Sequence, residues 1–436
     1  MTTPPVTPEN TDPRPDAGIS RRRFVQATGA GVAAASLAAP LLARPRRHAD
    51  TIRIGVIGCG GRGTGAAMNA LDASPDARIV ALADAFEDRL ESSRGYLAET
   101  GERGTVDPRA CYTGFDAYKQ LLKHDNVDLV ILATPPHFRP IHFDAAVNAG
   151  KHVFMEKPVA VDPAGIRTVI DAARRAKSQR LSVVAGTQRR HEASYREAIR
   201  RLHDGAIGDI VAARCYWNQG GLWKNDPRPE WSDMEWQMRN WLYFTWLSGD
   251  HIVEQHVHNL DVVNWVVGGE PVRALGLGGR QSRTDAVYGQ IFDHHAIEYE
   301  YANGVFLMSM CRQQDGCPGR VEEIFHGTRG KATLRPGYAV IEGPDAWTWK
   351  DNNPNPYVEE HRHLHDSIRG GTYLNEAERV ARSTLTAIMG RMATYTGQIV
   401  EWDKAMNSPL DLSPAAYSFG PMEVAPVAIP GRTPLL

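Results

Sequence analysis

From Thr51 onward the chain alternates short, almost uninterrupted apolar runs with longer stretches of helical period. Residues 52–57, 78–84, 127–134, 152–156 and 181–186 are rich in Val, Ile, Leu and Ala. Such runs suit strands buried on both faces, as in a parallel sheet with helices on either side. A helix is expected over about 63–73, directly after the first run. The alternation predicts an α/β domain over residues 51–186, a Rossmann-type doubly wound parallel sheet.

Past residue 187 the pattern changes. Strand-like stretches at 210–217, 272–277, 296–301, 305–310 and 331–334 include several that alternate apolar and polar positions, as strands with one wet face do. Helical periods over 252–267 and 376–395 flank them. This predicts a second, α+β domain over residues 187–408 with a largely antiparallel sheet. Residues 409–436 form a Pro-rich tail expected to wrap the surface, and residues 1–19, rich in Pro, Thr and Asp, read as a disordered arm.

Composition adds exclusions. The 436 residues are 42% hydrophobic and 23% charged, with a formal charge of −2. That balance fits a soluble enzyme-sized chain and not a basic nucleic-acid binder. The one membrane-like run, residues 27–43, is interrupted by Gly29, Gly31 and Pro40 and is too short for a stable span. It follows Ser20-Arg21-Arg22-Arg23-Phe24. Twin arginines ahead of a modestly apolar segment predict a Tat-type signal, hence export by the Tat machinery to the periplasm or beyond. Residues 44–50 then serve as a linker. The five cysteines, at 59, 111, 215, 311 and 317, are scattered and odd in number, so buried thiols are expected in place of a disulfide framework, with a Cys311–Cys317 pair the alternative.

The first chemical signal is the loop Gly58-Cys59-Gly60-Gly61-Arg62-Gly63, which matches G-x-G-x-x-G between a predicted strand and a predicted helix. Gly58 permits the tight turn, Gly60 lets backbone approach a pyrophosphate, and Gly63 lets helix and strand pack closely. The helix N-terminus then faces the anion. Asp84 closes the next strand, where a carboxylate accepts hydrogen bonds from ribose hydroxyls and repels a 2′-phosphate. The expected cofactor is therefore NAD in preference to NADP.

Three further motifs stand at Ala133-Thr134-Pro135-Pro136-His137, Glu156-Lys157-Pro158 and Glu254-Gln255-His256-Val257-His258-Asn259-Leu260-Asp261. Together with the glycine loop and Asp84, they make residues 51 to about 402 resemble the Gfo/Idh/MocA oxidoreductases. The resemblance implies a Rossmann domain, an open-faced C-terminal sheet, and hydride exchange between a nicotinamide and a sugar, polyol or inositol. It further implies that Lys157 is the catalytic lysine, with Glu156 beside the cofactor and a cis Lys157–Pro158 bond. His258 is then the base toward a substrate hydroxyl, Asp261 orients substrate or imidazole, and Thr134, Pro135 and His137 line the nicotinamide ribose. Glu254 and His256 depart from the family's Asp and Gly, so His256 competes for the base role. His258 is favoured because its i, i+3 spacing shares a helix face with Asp261. A His near neutral pKa suits proton transfer from an alcohol, and a neighbouring amine holds the forming oxyanion.

Six of the ten tryptophans lie between residues 217 and 246. They cap a saccharide pocket or fill a core, two readings of equal weight. In the first, Arg239, Asn240 and Trp241 contact substrate, with Gln188 facing the same cleft. His251, Glu254 and His258, and likewise His361, His363 and His365, have spacings open to a metal; the resemblance calls for none, and no metal is assigned. The leading expectation is an exported NAD-dependent dehydrogenase of a sugar or polyol. The alternatives are a glycoside hydrolase working by transient oxidation with tightly held NAD, and a non-catalytic sugar-binding protein, against which Lys157 and His258 argue. An open sheet face commonly pairs with another subunit, so a homo-oligomer is expected.

Overall fold

The computed structural model describes residues 51–436; the arm, signal and linker expected over residues 1–50 lie outside the described residues. Strands β1 (Ile52–Ile57), β2 (Ala77–Asp84), β3 (Cys111–Thr113), β4 (Leu129–Leu132), β5 (His152–Met155) and β6 (Val183–Ala185) form one sheet in the order β3-β2-β1-β4-β5-β6. Every pair in it is parallel. Ile54, Val56, Val130, Ile131, Val153 and Phe154 have no solvent exposure, which is the burial on both faces that the uninterrupted apolar runs require. The crossovers are α1 (Gly61–Ala73), α2 (Glu87–Ala98), α3 (Ala117–Leu122), α4 (Arg139–Asn148) and α5 (Pro163–Ser178). The α5 start combines Pro163 at the first turn with the Asp162 carboxylate accepting from Gly165 N at 2.7 Å. Strand order reverses between β1 and β4, so a crevice opens at their C-terminal ends, where ligands bind in such sheets.

After α6 (Ala193–His203) the chain builds a second sheet of nine strands. These are β7 (Ile210–Gln219), β8 (Pro271–Gly279), β9 (His294–Tyr301), β10 (Phe306–Gln313), β11 (Arg320–Gly327), β12 (Lys331–Arg335), β13 (Tyr338–Glu342), β14 (Trp347–Thr348) and β15 (Val400–Glu401). Their order is β14-β13-β12-β11-β7-β10-β9-β8-β15. Pairing is antiparallel throughout except between β7 and β10. Between β7 and β8 lie α7 (Asp233–Arg239), α8 (Thr245–Ser248), α9 (His251–Glu254) and α10 (Val257–Val267). The helices α11 (Pro356–Gly370), α12 (Ala377–Thr396) and α13 (Trp402–Asn407) follow, and a tail without helix or strand runs on to Leu436.

Helices α9, α10 and α12 cover one face of the second sheet. In register, Ala274, Tyr299 and Leu307 point beneath them and are buried. The opposite face presents Leu275, Leu277, Phe306 and Met310 to solvent, with Leu277 80% exposed. The parallel first sheet and the mostly antiparallel, open-faced second one are those expected from the patterns. The helix expected over 252–267 is interrupted, with α9 ending at Glu254 and α10 starting at Val257. The segment after the second sheet also returns to the first: α11 packs on α1, and Val183 N donates to Leu374 O at 2.7 Å. All five cysteines are free, with Cys311 buried and Cys317 exposed, so these two do not pair. Among the described residues no helix is long and apolar enough to cross a membrane.

Candidate active site

The glycine loop occupies the crevice between β1 and β4. Gly58 has φ +98°, and a Cβ there would lie 2.5 Å from Thr134 N. A Cβ on Gly63 would lie 1.7 Å from Gly58 O. Gly60 caps α1 without a side-chain hydrogen bond, leaving the first-turn N–H groups open to an anion. A Cβ on Gly61 would meet nothing within 4 Å, so the space above that turn is free. Asp84 ends β2 on the same cavity. Its Oδ2 accepts from Cys59 N at 2.6 Å and its Oδ1 from Phe86 N at 2.9 Å. Burial pushes this carboxyl up, while the two N–H groups pull it back. Each oxygen keeps a lone pair for a ribose hydroxyl. The cavity, about 460 Å³, runs from Asp84 past Gly60 to Thr134 and Pro135. Glycines where a Cβ does not fit, an uncapped helix start and a carboxylate one strand over are the parts a dinucleotide needs, and the residues present fit one.

Arg62 reaches across from the loop. Its guanidinium ion-pairs with Glu156 and lies 3.3 Å from Glu360 and 5.1 Å from the Tyr357 ring. Sequence reasoning passed over Arg139. Fully buried, it donates to Glu156 O at 2.8 Å and to Thr134 O at 2.7 Å, tying the exit of β5 to the exit of β4. His137 does not line the cavity. Its Nε2 lies 2.8 Å from Tyr417 OH, its ring packs on Trp246, and burial pushes its pKa down to about 4. The ribose role expected for it is thereby corrected: the ring belongs to the contact between the tail and the domains.

Lys157, after a cis Lys157–Pro158 bond, extends into the second domain. Its Nζ donates to Glu254 O at 2.5 Å and lies 3.3 Å from Glu254 Oε1 and from Gln255 Oε1. The interruption between α9 and α10 is what turns the Glu254 carbonyl toward the amine. Asp250 sets α9 in place. It holds φ +78°, a strained value for a side-chain-bearing residue. Its buried carboxylate accepts from Phe292 N at 2.9 Å and Tyr395 OH at 2.6 Å.

In the first turn of α10, His258 is buried with its ring 5.7 Å from that of Trp217 and its Nδ1 unpartnered. Burial first, then the charges of Lys157, Arg189 and Arg62, push its pKa well below the usual imidazole value. The ring is therefore neutral at pH 7 and able to accept a proton. The amine and the imidazole come from different domains, and the lysine charge acts on the ring through space. Glu323 on β11 holds this helix from below: it ion-pairs with Arg189 and accepts from Tyr195 OH at 2.9 Å and Asn259 Nδ2 at 2.6 Å.

Two of the expected residues have other partners. His256 turns under the sheet, with Nε2 2.7 Å from Ser309 Oγ and 3.6 Å from Cys215 Sγ, so it does not compete with His258. Asp261 does not meet the His258 ring. Arg190 grips it at 2.7 and 3.1 Å, Arg379 lies 3.0 Å away and Ser383 Oγ donates at 2.7 Å. The i, i+3 spacing is met, but the carboxylate is pulled toward α12. The carboxylate beside the lysine is that of Glu254. Asp261→Ala is accordingly expected to destabilise the fold by about 2–3 kcal/mol, because two half-buried guanidinium groups lose the buried anion they share. Urea unfolding measures it; a loss under about 1 kcal/mol would mean that those arginines find water or another partner.

The substrate candidates divide. Trp241 lines the dinucleotide cavity with Trp223. Arg239 is engaged by Asp88 and Glu235. Asn240, with no exposure, donates to Val287 O at 2.7 Å and accepts from Asn225 N at 2.9 Å, which makes it a loop brace. Gln188 Nε2 donates to Tyr357 OH at 3.2 Å, and its Oε1 is unpartnered. His251 meets Gln313 at 2.9 Å and His363 meets His191 at 2.7 Å. Among the described residues no group of three or more His, Cys, Asp or Glu side chains is arranged to hold a metal ion.

Residues 52–184 match the family model described as "Oxidoreductase family, NAD-binding Rossmann fold", and residues 195–333 match the "GFO/IDH/MocA C-terminal domain". An inositol 2-dehydrogenase of Saccharopolyspora erythraea is 31% identical over 258 residues, 58% of this chain and 65% of that protein. A glycosyl hydrolase family 109 protein of Streptomyces coelicolor is 31% identical over 214 residues, 44% of this chain and 43% of that one. The chain thus spans less than two thirds of the length of these curated relatives. The crystal structure of an aldose-aldose oxidoreductase from Caulobacter crescentus has the same fold, with a TM-score of 0.64 at 19% identity over 80% of this chain and 99% of that one. With its two domains matched in order by models of one family, the chain belongs to the Gfo/Idh/MocA oxidoreductases.

Proposed function

We propose that this protein transfers hydride between NAD(P) and a hydroxyl-bearing carbon of a sugar, polyol or inositol-like substrate. The observation that carries the reading is the meeting of Lys157 with the α9–α10 break, beside His258. Lys157 follows β5 just as Thr134, a wall of the dinucleotide cavity, follows the neighbouring β4. A bound nicotinamide supplies the hydride's destination. The chain's own residues do the rest: neutral His258 takes the hydroxyl proton, the Lys157 amine faces the forming oxyanion, and Glu254 holds the amine in place. Similarity to an inositol 2-dehydrogenase supports a polyol substrate. The decisive experiment incubates the purified protein with NAD and a panel of inositols and aldoses and follows NADH absorbance. No reduction of NAD with any of them, in a protein that binds NAD, would reject a simple dehydrogenase.

A second reading, glycoside cleavage through transient oxidation and elimination, is favoured by the similarity to a glycosyl hydrolase family 109 protein. Aglycone release over many turnovers without added NAD would select it.

Asp84 favours NAD over NADP. Asp84→Ser is expected to move the NAD/NADP affinity ratio toward NADP by about 10–100-fold, since it removes charged hydrogen-bond acceptance and leaves Arg89 on the same wall for a phosphate. Equilibrium titrations with both nucleotides measure it; an unmoved ratio would take Asp84 out of the discrimination. Arg21 and Arg22 ahead of residues 27–43 support Tat export to the periplasm, and the apolar open face carrying Leu275, Leu277 and Phe306 supports a homo-oligomer.

A further inference from the structure

The C-terminal tail and α7 converge on the adenosine end of the cavity. Phe86, two residues past Asp84, and Phe115 form part of the cavity wall. The tail residue Phe419 stacks on Phe86 with centroids 5.5 Å apart and meets Phe115 at 4.9 Å. Tyr417 packs on Phe138, another wall residue, and contacts His137. The tail is anchored on both domains. Leu412 N donates to Asp162 Oδ2 at 2.9 Å in the first. In the second, Gly420 O accepts from Met234 N at 3.2 Å and Met422 O accepts from Gln237 Nε2 at 2.9 Å. Arg239 adds a clasp, donating to both Asp88 oxygens at 3.0 Å with its guanidinium 4.0 Å from the Phe86 ring.

We propose that this strap, Phe419 and Tyr417 with the Arg239–Asp88 clasp, retains the dinucleotide and sets the rate at which it leaves. The inference rests on the cavity being a dinucleotide site, as proposed above. The walls touched by the strap are those that must part for the adenosine end to exit, and the strap crosses from one domain to the other over them. Such closures commonly govern release where the bound group is otherwise enclosed. Exposed aromatic stacking and a single ion-pair clasp are weak enough to open without unfolding either domain.

The test loads the full chain with NADH, adds excess NAD, and follows the loss of protein-bound NADH fluorescence. Phe419→Ala and Arg239→Ala are each expected to speed release by about tenfold. Phe419 is 42% exposed, so its removal leaves folding intact and decides the matter alone if Arg239→Ala fails to fold. Release from both variants at the wild-type rate overturns the strap. A wild-type protein that binds no NADH overturns instead the dinucleotide reading beneath it.

Discussion

Lys157→Met is expected to lower kcat by about 10²–10⁴-fold while leaving NADH affinity nearly unchanged. Methionine keeps the unbranched stem of the side chain but not the amine, which donates to the Glu254 carbonyl between the two domains. The glycine loop and Asp84, which would carry the dinucleotide, are untouched. A second readout separates a chemical role from a structural one. The Lys157 charge is one of the causes that depress His258, after burial itself. Removing it raises the imidazole pKa toward, but not past, its ordinary value of about 6.5. The proton acceptor must be neutral, so the acid limb of the kcat/KM profile moves to higher pH in the variant. A variant with wild-type kcat would end the lysine's role, and a large loss with an unmoved acid limb would uncouple His258 from it.

Much of this site is readable along the chain because its parts are local. The glycine loop, Asp84 and the Lys157–Pro158 turn each sit at the end of an apolar strand, and strand ends in a parallel sheet gather at one edge. The sheet itself is legible for the same reason: the runs at 52–57 and 152–156 are buried on both faces and carry no competing period. What stayed hidden depends on partners far away in sequence. β11 was not expected because Glu322 and Glu323 make it look wet, yet Glu323 is buried and satisfied by Arg189, Tyr195 and Asn259. The three-residue β3 is too short to show a period. Asp261 has the spacing of an orienting carboxylate, but spacing along one helix says nothing of Arg190 and Arg379 arriving from other elements. The same holds for Glu254, which faces Lys157 only because the helix breaks after it. Arg139 offered no motif at all, and only its complete burial across two strand ends reveals its function.

Gly63→Ala is expected to weaken dinucleotide binding by at least about 100-fold and to destabilise the fold by about 1–3 kcal/mol. Gly63 carries no positive φ, so the cost is steric and not conformational. The new methyl would stand 1.7 Å from Gly58 O and 2.9 Å from its carbonyl carbon. Neither atom has room to give way, because the Gly58 backbone runs so close to the exit of β4 that even a Cβ there would stand 2.5 Å from Thr134 N. Helix α1 must therefore retreat from the strand, carrying its open N-terminus away from where a pyrophosphate would sit. Gly61→Ala provides the contrast. Two residues earlier in the same helix, its methyl meets nothing within 4 Å, so stability is expected to hold or to rise by about 0.5–1 kcal/mol. NADH titration and urea unfolding of the two variants measure both effects. Equal stability of the pair would mean that contact between α1 and the β1 turn is not what shapes the cavity, and the dinucleotide assignment would lose its strongest geometric support.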